Sequence, residues 1–280
     1  MKINYFEILN NIQVPIKLDL RLLDYKEKKP LNIILHGFKA YRNWGFIPYF
    51  AERFTKDIGP TINFDFSLNG IDNEKEMLYN VDLFRTNTVS QQLKDIEILL
   101  NEINDSNSEI NKLLSPIWNG KINLIGHSLG GACSLISAEN FSQISSVVLL
   151  GSISKTDRNT ERQKREWREK GFIEFKESHS GQILYLDVEY LEDKERNKDK
   201  IDLRRIISKL EIAICVIHGK LDFTVPLKEA EILIERAKNS KKLEYLFIDK
   251  CNHTFGVSHQ FNETNTSLEL TIDKIKSFLN

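Results

Sequence analysis

Ser128 lies at the centre of a G-x-S-x-G motif at residues 126–130, between an apolar run that ends at Ile125 and a stretch suited to a helix. A strand, a sharp turn and a helix in this order lift the serine hydroxyl clear of the sheet edge. The two flanking glycines let strand and helix pass close together. The start of the helix offers free N–H groups and a partial positive charge to a developing oxyanion. The motif therefore predicts a nucleophilic serine.

A serine hydroxyl is a weak nucleophile unless a base takes its proton, and the base needs an acid that fixes its tautomer. When the chain order is serine, acid, histidine, we look for the acid after a late strand and for the histidine after the last one. Asp222 follows the apolar run 212–217, and His253 follows the run 243–248. An aspartate in such a turn commonly bonds its own backbone instead. The order and placement of Ser128, Asp222 and His253 together favour a catalytic triad.

Other residues compete for these roles. Asp249 is an alternative acid, although it lies so close to His253 along the chain that it is a poor orienting group. His259 is a second candidate base. His127, inside the turn, is interpreted as a packing or polar contact because its side chain leaves the turn on the wrong side to reach Ser128.

An oxyanion hole needs two backbone N–H donors, one from the residue after the nucleophile and one from an early strand-to-helix loop. Leu129 occupies the first position. Phe38, in the loop after the apolar run 31–35, is the best candidate for the second. His36 and Gly37 are interpreted as residues that shape this loop.

The composition bounds the class of protein. A chain of 280 residues is long enough for one large α/β domain with its own core. The 39 Lys and Arg residues balance 40 Asp and Glu, which argues against a nucleic-acid-binding protein. Three cysteines without paired spacing fit reduced thiols. With no signal-peptide pattern and no apolar run of membrane-spanning length, we expect a cytoplasmic protein.

Apolar runs and amphipathic stretches alternate along most of the chain. The predicted strands are residues 14–23, 31–35, 61–66, 122–125, 147–150, 212–217 and 243–248. The predicted helices are residues 46–55, 89–103, 132–140, 227–237 and 268–279. This alternation predicts an α/β fold with a mostly parallel, doubly wound sheet flanked by helices, in which the first strand or two are antiparallel. Residues 155–205 interrupt the alternation with dense charge and are long enough for a small cap.

No metal or cofactor motif is present. The histidines lack a spacing such as H-E-x-x-H, and no C-x-x-C occurs. GHSLGG is not followed by the Lys-Ser/Thr of a phosphate loop, and the early loop lacks G-x-G-x-x-G. We therefore expect neither a metal ion nor a cofactor.

From about residue 31 onward the chain resembles the α/β-hydrolase superfamily, through the segments HGF, GHSLGG, HGKLDFTVP and CNHTF. It is similar to small bacterial esterases of the cinnamoyl/feruloyl-esterase and dienelactone-hydrolase-like groups, whose active site is roofed by an insertion between the sixth and seventh strands. The matching insertion here is a cap of residues 154–208, and residues 1–153 and 209–280 form the core. Dienelactone hydrolases themselves use a cysteine nucleophile, where this chain has a serine.

The resemblance implies that Ser128, Asp222 and His253 are the triad and that Phe38 and Leu129 are the oxyanion donors. It also implies hydrolysis of a small aryl, acyl or hydroxycinnamoyl carboxylic ester through an acyl-enzyme. A serine peptidase, an acyltransferase and, less favoured, a non-catalytic ligand-binding protein remain alternatives.

Five residues are candidate substrate contacts. FDFSLNG resembles the segment that brings Ser67 and Asn69 near the pocket mouth in these esterases. Tyr41, Trp44 and Tyr185 could line an aromatic acyl pocket, or they could only pack the cap against the core. The expected partner is a small-molecule ester, with no nucleic acid and no membrane, and homodimerisation is left open.

Overall fold

The structure, a computed structural model, describes residues 1–280. Its strands are β1 (Lys2–Leu9), β2 (Pro15–Leu22), β3 (Lys29–Leu35), β4 (Thr61–Phe64), β5 (Ile71–Asn73), β6 (Leu78–Tyr79), β7 (Trp118–His127), β8 (Ile144–Leu150), β9 (Phe172–Lys176), β10 (Ile183–Asp187), β11 (Ala213–Gly219) and β12 (Lys242–Ile248). Its helices are α1 (Ile47–Asp57), α2 (Val81–Arg85), α3 (Val89–Asn104), α4 (Glu109–Leu114), α5 (Leu129–Asn140), α6 (Glu161–Lys170), α7 (Glu189–Arg196), α8 (Leu203–Lys209), α9 (Leu227–Arg236) and α10 (Thr266–Leu279). None of these helices combines the length and the apolar character that a membrane span needs.

Eight strands form the central sheet in the order β1-β2-β4-β3-β7-β8-β11-β12. Strand β2 pairs antiparallel with both β1 and β4. Every other pairing in this sheet is parallel. The predicted α/β class and the mostly parallel sheet with an antiparallel start are therefore confirmed.

The sheet has an apolar core on each face. Successive strand residues point to opposite faces, so Ile33 and Leu35 of β3 pack in the cluster that contains α3, α5 and α9. Ile34, between them, packs in a second cluster with the aromatic residues of α1 and the apolar face of α10. Burial on both faces explains why the central strands read as continuous apolar runs.

Two regions of the core were not anticipated as regular structure. Strand β1 is an edge strand whose side chains alternate between exposed and half-buried, so it lacks the apolar run of a central strand. The polar segment after β4 contains the short hairpin β5–β6 and helix α2.

The insertion lies between β8 and β11, the sixth and seventh strands of the central sheet along the chain. It contains α6, the hairpin β9–β10 and α7. Trp167 of α6 is buried and donates its indole N–H to the Leu186 backbone oxygen at 3.1 Å. The side chain of Arg85 pairs with Asp187 at 2.7 Å and ties the insertion to α2. Helix α8, by contrast, packs against α5 and α9 of the core.

Substitution of Gly130 should destabilise the fold strongly, because a Cβ there would lie 2.6 Å from the His36 backbone oxygen and closer still to that of Leu35. We expect Gly130→Ala to lower the free energy of unfolding by more than about 2 kcal/mol. Gly171→Ala is the matched control. Its backbone φ is +82°, but its Cβ would meet nothing within 4 Å, so only conformational strain of about 1 kcal/mol is expected. Equal urea-unfolding losses for the two variants would contradict this account.

Candidate active site

Ser128 occupies the turn between β7 and α5 with φ 55° and ψ −116°. Positive φ is strained for a residue with a side chain and persists only where the surroundings impose it. Here the Ser128 N–H donates to the Leu150 backbone oxygen of β8 at 2.8 Å. A Cβ at Gly126 would lie 2.5 Å from the Gly131 Cα, so strand and helix approach this closely only without a side chain there. The fold thus holds the serine on a strained turn at the sheet edge.

Asp222 and His253 meet at the same edge. Their positions follow β11 and β12, which are adjacent parallel strands. His253 Nδ1 donates to Asp222 Oδ2 at 2.6 Å. Because a carboxylate only accepts, the proton lies on Nδ1 and Nε2 keeps a lone pair, as a general base requires.

Asp222 is a buried carboxylate with several donors. Oδ1 accepts the backbone N–H groups of Thr224 at 2.9 Å and Val225 at 2.8 Å. His218 Nε2 lies 3.4 Å from Oδ2. Burial favours the neutral acid, but the hydrogen bonds from His218, His253 and Val225 outweigh it and hold the Asp222 pKa well below its usual range. The group beside His253 is therefore an anion at neutral pH.

His127 supports the loop that carries His253. Its Nε2 donates to the His253 backbone oxygen at 3.0 Å, and the two ring centroids lie 4.7 Å apart. Burial, with a smaller contribution from neighbouring His253, lowers the pKa of His127 to about 3. His127 is therefore neutral near pH 7 and forms no hydrogen bond with the Ser128 side chain. On its other side the ring stacks on Trp44 at a 6.4 Å centroid distance.

Two backbone amides beside Ser128 are free. Leu129 is the first residue of α5, so its N–H has no intrahelical acceptor. The N–H of Phe38 donates to no other backbone group. A Cβ at Gly37 would lie 3.1 Å from the Ser128 Cβ, which puts the Gly37–Phe38 peptide against the nucleophile turn. Both amides are available to an oxygen atom of a ligand.

Charged residues beneath the loop that carries Phe38 hold it in position. The Arg42 N–H donates to Asp65 Oδ1 at 2.6 Å, and its guanidinium also pairs with Asp65. Arg42 Nε reaches Asp19 Oδ1 of β2 at 3.1 Å. The Asn63 side chain donates to the Arg42 backbone oxygen at 2.8 Å. The loop is thus fastened to β2 and to the end of β4.

The Phe38 side chain connects this loop to the insertion. Its ring centroid lies 5.4 Å from Phe175 of β9 and 6.4 Å from Tyr190 of α7. On the core side it lies 5.5 Å from Phe84 of α2. The insertion therefore packs directly on the residue whose peptide lies against the Ser128 turn.

A cavity of about 530 Å³ opens on Ser128 and His253. Phe38 and Trp44 are among the predicted residues that line it. Its lining also includes residues that the sequence did not single out, which are Lys39, Met77, Arg158, Glu177, His179 and Thr224. Lys39 directly follows the HGF segment and Thr224 lies within HGKLDFTVP, whereas no sequence motif marks Met77, Arg158, Glu177 or His179.

Residues 33–210 match the sequence profile of a family described as alpha/beta hydrolase fold. The chain belongs to this family. This membership confirms the predicted superfamily.

Curated relatives of this alpha/beta-hydrolase-fold protein include a pimeloyl-[acyl-carrier protein] methyl ester esterase of Aliivibrio fischeri, 31% identical over 80 residues. The match covers 29% of this chain and 27% of that protein, so the chain spans about a quarter of the length of the curated relatives it matches.

Solved structures share the fold over nearly the whole chain. Est1E from Butyrivibrio proteoclasticus matches with a TM-score of 0.68 and 17% identity, covering 98% of this chain and 97% of that one. Est1E has also been solved with ferulic acid bound. A putative hydrolase from Agrobacterium vitis matches with a TM-score of 0.74 and 17% identity over 100% of both chains. At these identities the likeness shows a common fold.

Within this alpha/beta-hydrolase-fold protein, the candidate substrate contacts are not all brought together. Trp44 lines the cavity that opens on Ser128, whereas Tyr41 and Tyr185 lie outside its lining.

 Tyr41 is fully buried, and its hydroxyl donates to the Glu74 backbone oxygen at 3.0 Å. Tyr185 faces Phe172 across the β9–β10 hairpin at a centroid distance of 5.3 Å. Both tyrosines thus pack the molecule together, which is the alternative left open for them.

Ser67 and Asn69 also lie outside the cavity lining. Ser67 is buried, and its N–H and hydroxyl both donate to Asp95 Oδ2 at 2.8 Å. Asn69 is buried, and its Oδ1 accepts the Ile71 N–H at 3.0 Å. Ser67 is therefore bound to α3, and Asn69 caps the turn into β5.

Asp249 and His259, the alternative acid and base, form their polar contacts with other residues. Asp249 has a side chain that is 80% exposed and pairs with Lys220 at 2.7 Å. His259 Nδ1 accepts the Gly45 N–H at 3.4 Å, and its Nε2 lies 2.8 Å from the Tyr41 hydroxyl. His259 lines the cavity that opens on Ser128, but neither residue forms a hydrogen bond with Ser128, Asp222 or His253.

His36 and Cys251 are buried near the site without facing a ligand. His36 Nε2 accepts the Phe66 N–H at 3.1 Å, and burial lowers the His36 pKa to about 4. The Cys251 thiol is buried, which raises its pKa and keeps it in the unreactive protonated form. No cluster of three His, Cys, Asp or Glu side chains is arranged to hold a metal ion.

The Asp222 environment predicts a specific pH dependence of stability. Because the folded-state pKa is depressed, the ionised carboxylate stabilises the fold above its unfolded pKa of about 3.9, and this contribution is lost as pH falls towards the folded pKa. We expect wild type to exceed Asp222→Asn in unfolding free energy at pH 7, with the gap shrinking by on the order of 1–2 kcal/mol by pH 3.

Urea unfolding at both pH values measures this gap. Asp249→Asn is the matched control, because its carboxylate is exposed and salt-bridged only at the surface. A gap for Asp222→Asn that stays constant or widens on acidification would contradict the ionised, hydrogen-bonded carboxylate.

Proposed function

We propose that this chain is a serine hydrolase that cleaves carboxylic esters through an acyl-enzyme intermediate. The observation that carries the proposal is the 2.6 Å hydrogen bond from His253 Nδ1 to Asp222, beside a cavity that also exposes Ser128. A nucleophile on a strained turn, a base with a free Nε2 and a buried anion behind it are the groups that acyl transfer needs. Ser128, Asp222 and His253 are accordingly the proposed triad.

In the acylation step, Ser128 Oγ attacks the ester carbonyl carbon while His253 Nε2 takes the hydroxyl proton. The Asp222 carboxylate stabilises the imidazolium that forms, because it accepts the Nδ1 proton in a buried site. Ser128 Oγ makes no hydrogen bond in the structure, and we expect its contact with His253 Nε2 to tighten when substrate binds, as is common for catalytic hydrogen bonds.

The tetrahedral oxyanion accepts hydrogen bonds from the amides of Phe38 and Leu129, which have no other acceptor. Collapse of this intermediate breaks the bond to the alcohol, and His253 returns the proton to the departing oxygen. A water molecule then attacks the acyl-Ser128 ester with His253 as base. The carboxylic acid leaves, and the serine hydroxyl is regenerated.

An ester is the favoured substrate class. One relative is a methyl ester esterase, and a neighbour of the same fold has been solved with ferulic acid, a hydroxycinnamic acid. The cavity of about 530 Å³ has room for a single aromatic or short acyl group, with Phe38, Trp44 and Met77 as apolar surface. A small aryl, acyl or hydroxycinnamoyl ester is therefore proposed, with a peptidase or an acyltransferase as the competing outcomes of the test.

Removal of the nucleophile should abolish turnover. We expect Ser128→Ala to lower kcat on a short aryl ester by at least about 10⁴-fold, because the remaining triad groups act only through the serine. A fluorophosphonate probe should label wild type on the peptide that contains Ser128. Ser106→Ala, at an exposed loop serine, is the control and should be labelled as wild type is. Labelling of another residue, or activity retained in Ser128→Ala, would reject the proposed nucleophile.

The three competing activities separate in one substrate panel. We expect release of acid from alkyl, aryl and hydroxycinnamoyl esters, with kcat/KM for matched amides and peptides at least about 100-fold lower. Adding an alcohol acceptor should divert little product into a new ester, because water completes the second step. Predominant amide cleavage would favour a peptidase, and predominant ester exchange an acyltransferase.

A further inference from the structure

Two cationic side chains line the cavity that opens on Ser128. Lys39 follows Phe38 directly in the chain, and Arg158 comes from the segment between β8 and α6. Arg158 donates to the Thr224 backbone oxygen at 2.8 Å, so part of its hydrogen-bonding capacity is used. The Lys39 ammonium forms no hydrogen bond and no ion pair with any protein group.

The backbone holds Lys39 in an uncommon conformation. Its φ is +58°, in the left-handed region that favours glycine. The Tyr79 hydroxyl donates to the Lys39 backbone oxygen at 2.8 Å. The Tyr79 backbone is bonded in turn to the side chain of Gln182 in the cap, at 2.9 and 2.8 Å. Strained residues that neighbours hold in place cluster at ligand-binding sites.

The Glu177 carboxylate, which lines the same cavity, forms no ion pair with Lys39. Glu177 lies in the cap turn and is buried. It accepts the N–H groups of His179 at 2.7 Å and Ser180 at 2.6 Å, and the Ser180 hydroxyl at 3.0 Å. Burial opposes ionisation of Glu177, but these bonds hold its pKa below the usual range, with a smaller effect from Lys39. Lys39 therefore keeps its three N–H donors for a ligand.

We propose that Lys39 selects substrates that carry an anionic group, a carboxylate or a phosphate, in addition to the ester. This inference rests on the proposed function, because it requires the ester to lie at Ser128. A half-buried ammonium without a protein acceptor binds an anion through charge-assisted hydrogen bonds. Arg158, on the cap side of the cavity, adds a second positive charge. Lys39 is thus a specificity-determining residue for the charged part of the substrate.

Matched ester pairs test the preference. Monoethyl adipate and ethyl hexanoate differ only at the end of the acyl chain, where the first has a carboxylate and the second a methyl group. 4-(Hexanoyloxy)butanoate and butyl hexanoate differ by the same exchange of a terminal carboxylate for a methyl group, here at the end of the alcohol chain. At low salt we expect kcat/KM of wild type for the anionic member of one pair to exceed that for its neutral partner by about tenfold or more. The pair that responds identifies which side carries the anion.

Variants assign the preference to Lys39. The anionic-to-neutral ratio of kcat/KM should fall by about tenfold in Lys39→Met and should be retained in Lys39→Arg. Lys155→Met is the matched control, because Lys155 is exposed and does not line the cavity. Wild type without a preference in either pair, or a ratio unchanged in Lys39→Met, would overturn the inference.

Equilibrium binding separates this inference from the proposed function. In at least one of the two pairs, the carboxylate ester should bind Ser128→Ala about tenfold more tightly than its neutral partner, and Lys39→Met in the same background should abolish the difference. This measurement needs no turnover. Equal Kd values within both pairs overturn the role of Lys39, whereas a wild-type protein that binds an anionic ester selectively but hydrolyses none of the four esters overturns only the proposed function.

Discussion

The hydrogen bond between Asp222 and His253 is the interaction on which the rest of the site depends. A buried carboxylate is costly unless several donors satisfy it, and the turn after β11 supplies two backbone N–H groups in addition to the imidazole. The parallel pairing of β11 with β12 brings the histidine to that carboxylate. His127, next to the nucleophile, then bonds the His253 backbone. The turns that carry Asp222, His253 and Ser128 are therefore connected by hydrogen bonds at the ends of β11, β12 and β7.

The loop that carries Phe38 and the insertion between β8 and β11 form a second connected unit. The Phe38 backbone faces the nucleophile turn, while its side chain packs against Phe175 and Tyr190 of the insertion. Beneath it, Arg42 fastens the loop to Asp65 and the core. A shift of the cap would therefore alter the position of an amide close to Ser128, and the same packing determines the shape of the cavity.

Much of the core could be predicted because its signals are local or periodic. The continuous apolar runs of the central strands follow from burial on both faces of the sheet. The glycines on either side of Ser128 occupy positions where a Cβ would clash with neighbouring backbone atoms. The edge strand β1 and the hairpin β5–β6 were not anticipated. Their sequences mix polar and apolar residues because each strand contains exposed and only half-buried positions, so neither shows the apolar run of a buried strand.

The sequence by itself determined the fold class and predicted the turn at Ser128 and the order of the candidate triad, because strand periodicity and turn chemistry are encoded within a few residues. Only the tertiary structure decided which other side chains reach the cavity. Tyr41 and Ser67 were expected there, but hydrogen bonds to Glu74 and Asp95, distant along the chain, turn them elsewhere. Lys39 lines the cavity beside a cap residue far away in sequence. Side-chain direction depends on such long-range packing, which no local pattern records.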